Sequence, residues 1–214
     1  MKHKMRLLLA TILLSLSLSQ NCFAADAEAI LNSASLNPKT SDYEPLNTCI
    51  QDIFSEILTD DMSTYAKVKA CYDYLINTCE YGYSDISLVP DANNYIFAGF
   101  SWEQTPDDDE MDSRFQTLCA YTILTKHIGV CDNYTAAFVA MTQALGLDSR
   151  SVMGSTHKAS GGYTGHAWCE IKVDEIPYVF DPQIEDNIAK GGTIGYYRFC
   201  KAYGEVPDKY ILSE

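Results

Sequence analysis

The chain has 214 residues, 29 of them acidic and 15 basic, for a net charge of −14. That balance argues against nucleic acid or anionic lipid as a partner, and otherwise reports solubility without pointing to a substrate. The length suffices for a single domain with a substantial core.

Lys2, Lys4 and Arg6 precede an apolar block over residues 7–18, and Cys22-Phe23-Ala24 follows with small residues where a signal peptidase reads. The pattern predicts a secretory signal peptide, residues 1–24, cleaved near Ala24. The apolar block is shorter and richer in serine than the roughly 20 residues a membrane anchor needs, so no stable membrane insertion is expected after cleavage. Cys22 follows Ser19-Gln20-Asn21, which lacks the apolar and small pattern of a lipoprotein site. The mature protein is thus expected to be secreted or extracytoplasmic, with 12 basic and 29 acidic residues and a net charge of −17.

Residues 25–45 are polar and small without a sustained period and read as an N-terminal arm, with the domain occupying 46–214. Ile50, Ile53, Phe54, Ile57 and Leu58 follow a helical period, predicting a first helix over 48–58 with Asn47 as its cap. A second helix is predicted over 63–78, with Asp60 or Asp61 available as its cap. Between residues 82 and 112 the period fades into an insert holding Pro90, Pro106 and the run Asp107-Asp108-Asp109-Glu110. That run lacks the ligand order and central glycine of an EF-hand and reads as a solvated acidic loop, on an insert long enough to border a cleft. Ser113-Arg114-Phe115-Gln116 resembles a capping box opening a helix through Lys126. The next helix begins at Cys131, shows apolar residues at Ala137, Phe138, Met141, Ala144 and Leu145, and stops at Gly146. A short strand is expected over 150–153, a Gly/Ser/Thr-rich loop over 154–165, and two strands over 166–173 and 176–181 joined at Asp174-Glu175. The tail, with Gly191-Gly192 and an aromatic cluster at Tyr196, Tyr197 and Phe199, suggests one last strand or short helix.

Without Cys22, seven cysteines remain, and setting Cys131 aside leaves Cys49, Cys71, Cys79, Cys119, Cys169 and Cys200. Six in an exported chain permit up to three disulfides in 15 connectivities, which sequence does not choose among. On one helix Cys71 and Cys79 would lie about 12 Å apart along the axis, too far to bond each other. No Cys-x-x-Cys pair exists and the histidines do not stand near cysteines at ligand spacing, so no metal is expected.

Cys131 gains from its place at a helix start, where unpaired N–H groups and the helix dipole favour negative charge and thiolate is the nucleophilic form. The commoner fate of a cysteine is burial as a small apolar group. The hairpin supplies partners: if Asp174-Glu175 is a two-residue turn, Val173 faces Ile176 and Asp181 faces Trp168. His166 and Asp181 then share a face as diagonal neighbours about 7–8 Å apart at Cα. A one-residue slip would send Asp181 to the other face, and the turn lacks the favoured Asn-Gly or Asp-Gly. Attack on an amide needs a nucleophile, a proton for the departing amine, and a fixed imidazole tautomer. Cys131, His166 and Asp181 fit those roles, although each taken singly is better explained as an ordinary helix, strand or strand-end residue.

The segment Gly129-Val130-Cys131-Asp132-Asn133-Tyr134-Thr135-Ala136-Ala137-Phe138, with Gly146-Leu147, Gly165-His166-Ala167-Trp168 and Phe180-Asp181-Pro182, resembles the core of the bacterial transglutaminase-like superfamily. The helix Ala66-Lys67-Val68-Lys69-Ala70-Cys71-Tyr72-Asp73-Tyr74-Leu75, ending in Tyr81, is similar to that family's upstream helix. The resemblance spans about residues 63–183. It implies an α+β, papain-like core, with N-terminal helices and the nucleophile helix packed on an antiparallel β-sheet. It also implies Cys131 as nucleophile, His166 as general base and acid, and Asp181 as the orienting residue. Asn133 stands where many relatives have glycine and is expected to narrow the space beside the thiol. The Cys131 N–H is a natural oxyanion donor, and Tyr121 and Trp102 are candidates for a second.

These readings predict a cofactor-free thiol enzyme that forms a thioester with a protein or peptide substrate, cell-wall peptide being one option. Hydrolysis is favoured over amine transfer, that is, a cysteine peptidase or amidase over a crosslinking transglutaminase. A non-catalytic surface-binding module of the same fold is the rival class, and a purely structural disulfide protein trails both.

Overall fold

The computed structural model describes residues 27–85, 89, 95–96, 108–158 and 160–213, so the segment expected to be a signal peptide, Cys22 and Trp102 lie outside it. The helices in chain order are α1 (Ala27–Ser33), α2 (Glu44–Ile57), α3 (Thr64–Thr78), α4 (Asp108–Lys126), α5 (Cys131–Ala144) and α6 (Pro182–Ala189). The strands are β1 (Glu80–Tyr81), β2 (Ile128–Gly129), β3 (Asp148–His157), β4 (Tyr163–Val173), β5 (Ile176–Phe180), β6 (Lys201–Ala202) and β7 (Tyr210–Leu212).

Five strands form one antiparallel sheet in the order β6-β5-β4-β3-β7, and β1 and β2 form a separate parallel pair. Helix α5 lies on β3 and β4, with α3, α4 and α6 packed around it. The shared core runs from Tyr72 and Leu75 of α3 through Tyr134, Phe138 and Met141 of α5 to Cys169, Ile171 and Phe180 of the sheet, all fully buried. Burial of so much aromatic and aliphatic surface is the main force fixing the nucleophile helix to the sheet. Phe180 and Phe199 meet edge to face at 5.0 Å, and Tyr72 meets Phe138 and Phe199 in the same way.

Several predicted boundaries are corrected. The segment expected to be an arm contains α1, whose Ile30 and Leu31 are buried against the core, so the folded unit begins well before residue 46. Helix α2 starts at Glu44 after Tyr43; Asn47 lies within its first turn and bonds Ser41, a link that joins the helix to the loop before it. The cap of α3 is Ser63, whose hydroxyl accepts from the Ala66 N–H at 3.2 Å, and not Asp60 or Asp61. Helix α4 opens at Asp108, so the acidic run reaches into the helix, and Ser113 sits inside it. β3 runs on to His157 and β4 begins at Tyr163, shrinking the loop between them; their cross-strand pairing is unbroken from Asp148–Lys172 to His157–Tyr163. The tail carries α6, a 3₁₀ turn (Tyr203–Glu205), β6 and β7 where one element was expected.

The β4–β5 hairpin follows the expected register, with Val173 opposite Ile176 and Cys169 opposite Phe180. Asp174 and Glu175 have φ of 49° and 65°, so two ordinary acidic residues adopt the left-handed backbone that a tight two-residue turn requires. The cysteines depart from the disulfide expectation: Cys49, Cys71, Cys79, Cys119, Cys131, Cys169 and Cys200 are all free thiols. Five of the six expected to pair are buried, and only Cys49 and Cys131 are partly exposed. In this fold those five pack as small apolar groups.

Candidate active site

Cys131 is the first residue of α5, where its N–H has no intrahelical acceptor. What sets the helix start is Asn133. Its side chain is buried, its Oδ1 accepts from the Val130 N–H at 3.0 Å, and its Nδ2 donates to the Cys119 carbonyl at 3.2 Å. One amide thereby fixes the turn before the thiol and ties it to α4. Both polar groups of Asn133 are spent on backbone partners. Gly129 is required nearby, since a Cβ there would lie 2.5 Å from the Asn133 Cβ.

His166 is 4% exposed on β4, and its Nε2 lies 2.8 Å from Asp181 Oδ2. Cys131 interacts with the same imidazole, and because Nε2 is taken by Asp181, Nδ1 is the ring nitrogen left for the thiol. Burial by itself would lower the basicity of His166. The hydrogen bond and charge of Asp181, together with the interaction with Cys131, outweigh it and raise the imidazole to about 10. Trp168 is stacked beside the ring at 6.4 Å and 21° and is itself held by its Nε1 donating to Tyr203 Oη at 2.9 Å.

Asp181 is 1% exposed and stands between β5 and α6. It caps α6, with Oδ1 accepting from the Ile184 N–H at 3.0 Å. Oδ2 accepts from His166 and, at 2.8 Å, from Tyr210 Oη. Its carbonyl accepts from Tyr72 Oη at 3.0 Å, and its N–H donates to the Arg198 carbonyl at 3.0 Å. The carboxylate is therefore fixed from several directions before any substrate arrives.

Cys131, His166 and Asp181 thus come together in one constellation, which Tyr121 does not join. Tyr121 packs edge-on against Tyr43 at 5.4 Å, in the seam between α2 and α4. Trp102 lies outside the described residues. An aromatic residue near the site that sequence reasoning missed is Tyr81, whose strand pairs with β2 so that Tyr81 stands opposite Gly129, two residues before Cys131. Burial and then the charges of Cys131 and Asp132 raise the Tyr81 phenol. Its position after α3 carried no periodic signal, because β1 is only two residues long. Asp132, half-buried, has an Oδ1 with no hydrogen-bond partner, and burial raises its carboxyl while His166 pulls it back down. A separate cleft of about 260 Å³ on the far flank of α5, between Asn47, Gln116 and Ser151, contains none of these residues.

Among the described residues no group of three or more His, Cys, Asp or Glu side chains is arranged to hold a metal, and no helix is long and apolar enough to cross a membrane. The arrangement of thiol, imidazole and carboxylate is suited to acyl transfer: a nucleophile near a base, and the base held by an oriented acceptor.

The sequence matches the model of the transglutaminase-like superfamily over residues 51–182, a span that contains Cys131, His166 and Asp181. The chain belongs to this superfamily. Comparison with curated proteins returned no match. Among solved structures, the chain is similar to a protein described as a candidate cysteine protease from Cytophaga hutchinsonii, at 21% identity and a TM-score of 0.42 over 67% of this chain and 39% of that one. It is also similar to a protein described as a TGase, at 17% identity and a TM-score of 0.36 over 65% and 31% of the respective chains. This member of the superfamily therefore spans well under half the length of either.

Proposed function

We propose that this protein is an exported thiol hydrolase of the transglutaminase-like superfamily, a cysteine peptidase or amidase acting on protein or peptide substrates. The observation that carries the reading is the position of His166, whose Nε2 is bonded to a fully enclosed Asp181 and whose imidazole also interacts with Cys131 at the start of α5. Cys131 gives its thiol proton to His166, its Sγ attacks the amide carbonyl carbon, and the negative charge on the carbonyl oxygen is met by the Cys131 N–H. His166 passes a proton to the departing nitrogen as the C–N bond breaks, leaving a thioester. His166 then takes a proton from water, the hydroxide adds to the thioester, and the acid and the free thiol are released. Tyr81, whose strand runs beside the residues just before Cys131, is a candidate for a second oxyanion hydrogen bond. Export rests on the basic and apolar N-terminal pattern.

Amine transfer is the second reading, since the same thioester can be taken by a primary amine. The two are separated by incubating the mature protein with a peptide library in the presence and absence of a fluorescent primary alkylamine. Hydrolysis predicts new carboxyl termini or deamidated side chains, with the amine entering only a minor fraction of products. Predominant covalent incorporation of the amine would replace the hydrolase reading by a transferase one.

A further inference from the structure

The superfamily match ends at residue 182, yet several bonds that hold Asp181 come from the chain beyond it. Tyr210 is the most informative of these. It is the first residue of β7, stands opposite Thr156 of β3, and is 8% exposed. Its ring packs on Trp168 at 4.9 Å with the Arg198 guanidinium 5.9 Å from its centroid. The approach of β7 depends on Gly154, where a Cβ would lie 2.2 Å from the Ile211 carbonyl oxygen and 2.6 Å from Trp168 Cη2. The phenol is thus delivered to Asp181 Oδ2 by a packed strand rather than by a loose tail.

We propose that Tyr210 is a positioning residue that sets the acid strength of His166 by sharing Asp181 Oδ2 with it. The proposal rests on the reading of Cys131, His166 and Asp181 as the reacting set. A carboxylate oxygen that accepts two hydrogen bonds is a weaker partner for each than one that accepts a single bond, so the phenol draws charge away from the imidazolium. Burial, and then the charge and hydrogen bond of Asp181, hold the Tyr210 phenol far up, which keeps it an O–H donor. The consequence is mechanistic. An imidazolium bound too strongly to its carboxylate would be slow to give its proton to a departing amine, and the second bond to Oδ2 moderates that hold. With Ile184 on Oδ1, it also fixes the plane of the carboxylate.

The other titratable or charged groups around this centre are Cys131 and Asp132 from α5, Tyr72 from α3, Glu185 from α6 and Arg198 from the connection to β6. Tyr210→Phe removes none of them.

The test follows the ring protons of His166 by NMR across pH, in a chain with only four histidines. Tyr210→Phe keeps the ring and deletes the donor, and the expected result is an upward shift of the His166 titration by about half a unit or more. Fluorotyrosine placed at position 210 keeps the fold and strengthens the donor, and the expected shift is downward. Opposite shifts support the proposal, including where Tyr210→Phe folds poorly and the downward shift with fluorotyrosine is the one that is read. A His166 titration that moves in neither protein, even with activity or stability reduced, would overturn it and leave Tyr210 a packing residue. Failure of the underlying catalytic reading is seen separately, as a Cys131 in the unmodified protein that alkylates no faster than an ordinary thiol.

Discussion

Cys131→Ala is expected to lower peptide or amide turnover by at least about 10⁴-fold while leaving the folded protein intact. The magnitude follows from loss of the covalent route: without the sulfur no thioester forms, and only binding and the backbone N–H remain to assist attack by water. Stability is expected to change little, because the side chain is half-buried at the first position of α5 and the helix start is held by Asn133 rather than by the thiol. Turnover and thermal unfolding measured on the same preparation check both parts. Turnover retained within tenfold would show that the reaction does not pass through Cys131.

Asp181→Ala is expected to affect both activity and stability. Losing the orienting carboxylate should lower turnover by about 10³–10⁴-fold, since His166 is then free to take the unproductive tautomer. The same change removes the cap of α6, worth about 1 kcal/mol. It also strips the buried Tyr210 hydroxyl of its acceptor at about 1–3 kcal/mol. The folded state raises His166 from 6.5 to about 10, so it binds the imidazole proton more tightly than the unfolded chain does. That stabilisation is present in full below about pH 6.5 and is lost as pH rises towards 10. Asp181→Ala removes much of it, so the gap in Tm between the two proteins should be widest near pH 6 and narrow as pH rises. A gap that widens with pH would contradict the assignment of the raised group to His166.

The site lay open in the sequence where it depended on strand alternation and helix period. The Asp174-Glu175 turn joined two strands of legible alternation, and a single register put Asp181 opposite Trp168 and diagonal to His166. That register held although the turn residues are not the favoured ones, because the buried faces of Cys169, Ile171 and Phe180 oppose any slip. The start of α5 was legible from Cys131 and the apolar period behind it. The role of Asn133 was not, because its two partners are backbone groups, one of them on α4 and 14 residues earlier in the chain.

What escaped the sequence was mostly short or long-range. Helix α1 has only seven residues, and its burial rests on Ile30 and Leu31 in an otherwise polar stretch. Helix α6 opens at Pro182 with Asp181 as its cap, so one side chain ends a strand, caps a helix and bonds His166, and the sequence signals of these uses overlap. Tyr210 reaches Asp181 across 29 residues through a three-residue strand, a contact without local periodicity. The even count of six cysteines suggested disulfides, whereas five of those residues are buried in the fold as unpaired thiols. Parity carries no information about which cysteines the fold brings into contact.

The central claim, that His166 activates Cys131, is tested most directly by the rate of iodoacetamide alkylation at Cys131 as a function of pH, mapped by peptide mass in the unaltered protein and in His166→Ala. The account predicts rapid alkylation of Cys131 near pH 6, where an ordinary thiol of pKa about 8.5 is almost entirely protonated. It also predicts a large loss of that low-pH reactivity in His166→Ala. A Cys131 that follows the ordinary thiol profile in both proteins, or is found bonded in a disulfide in native material, would contradict it.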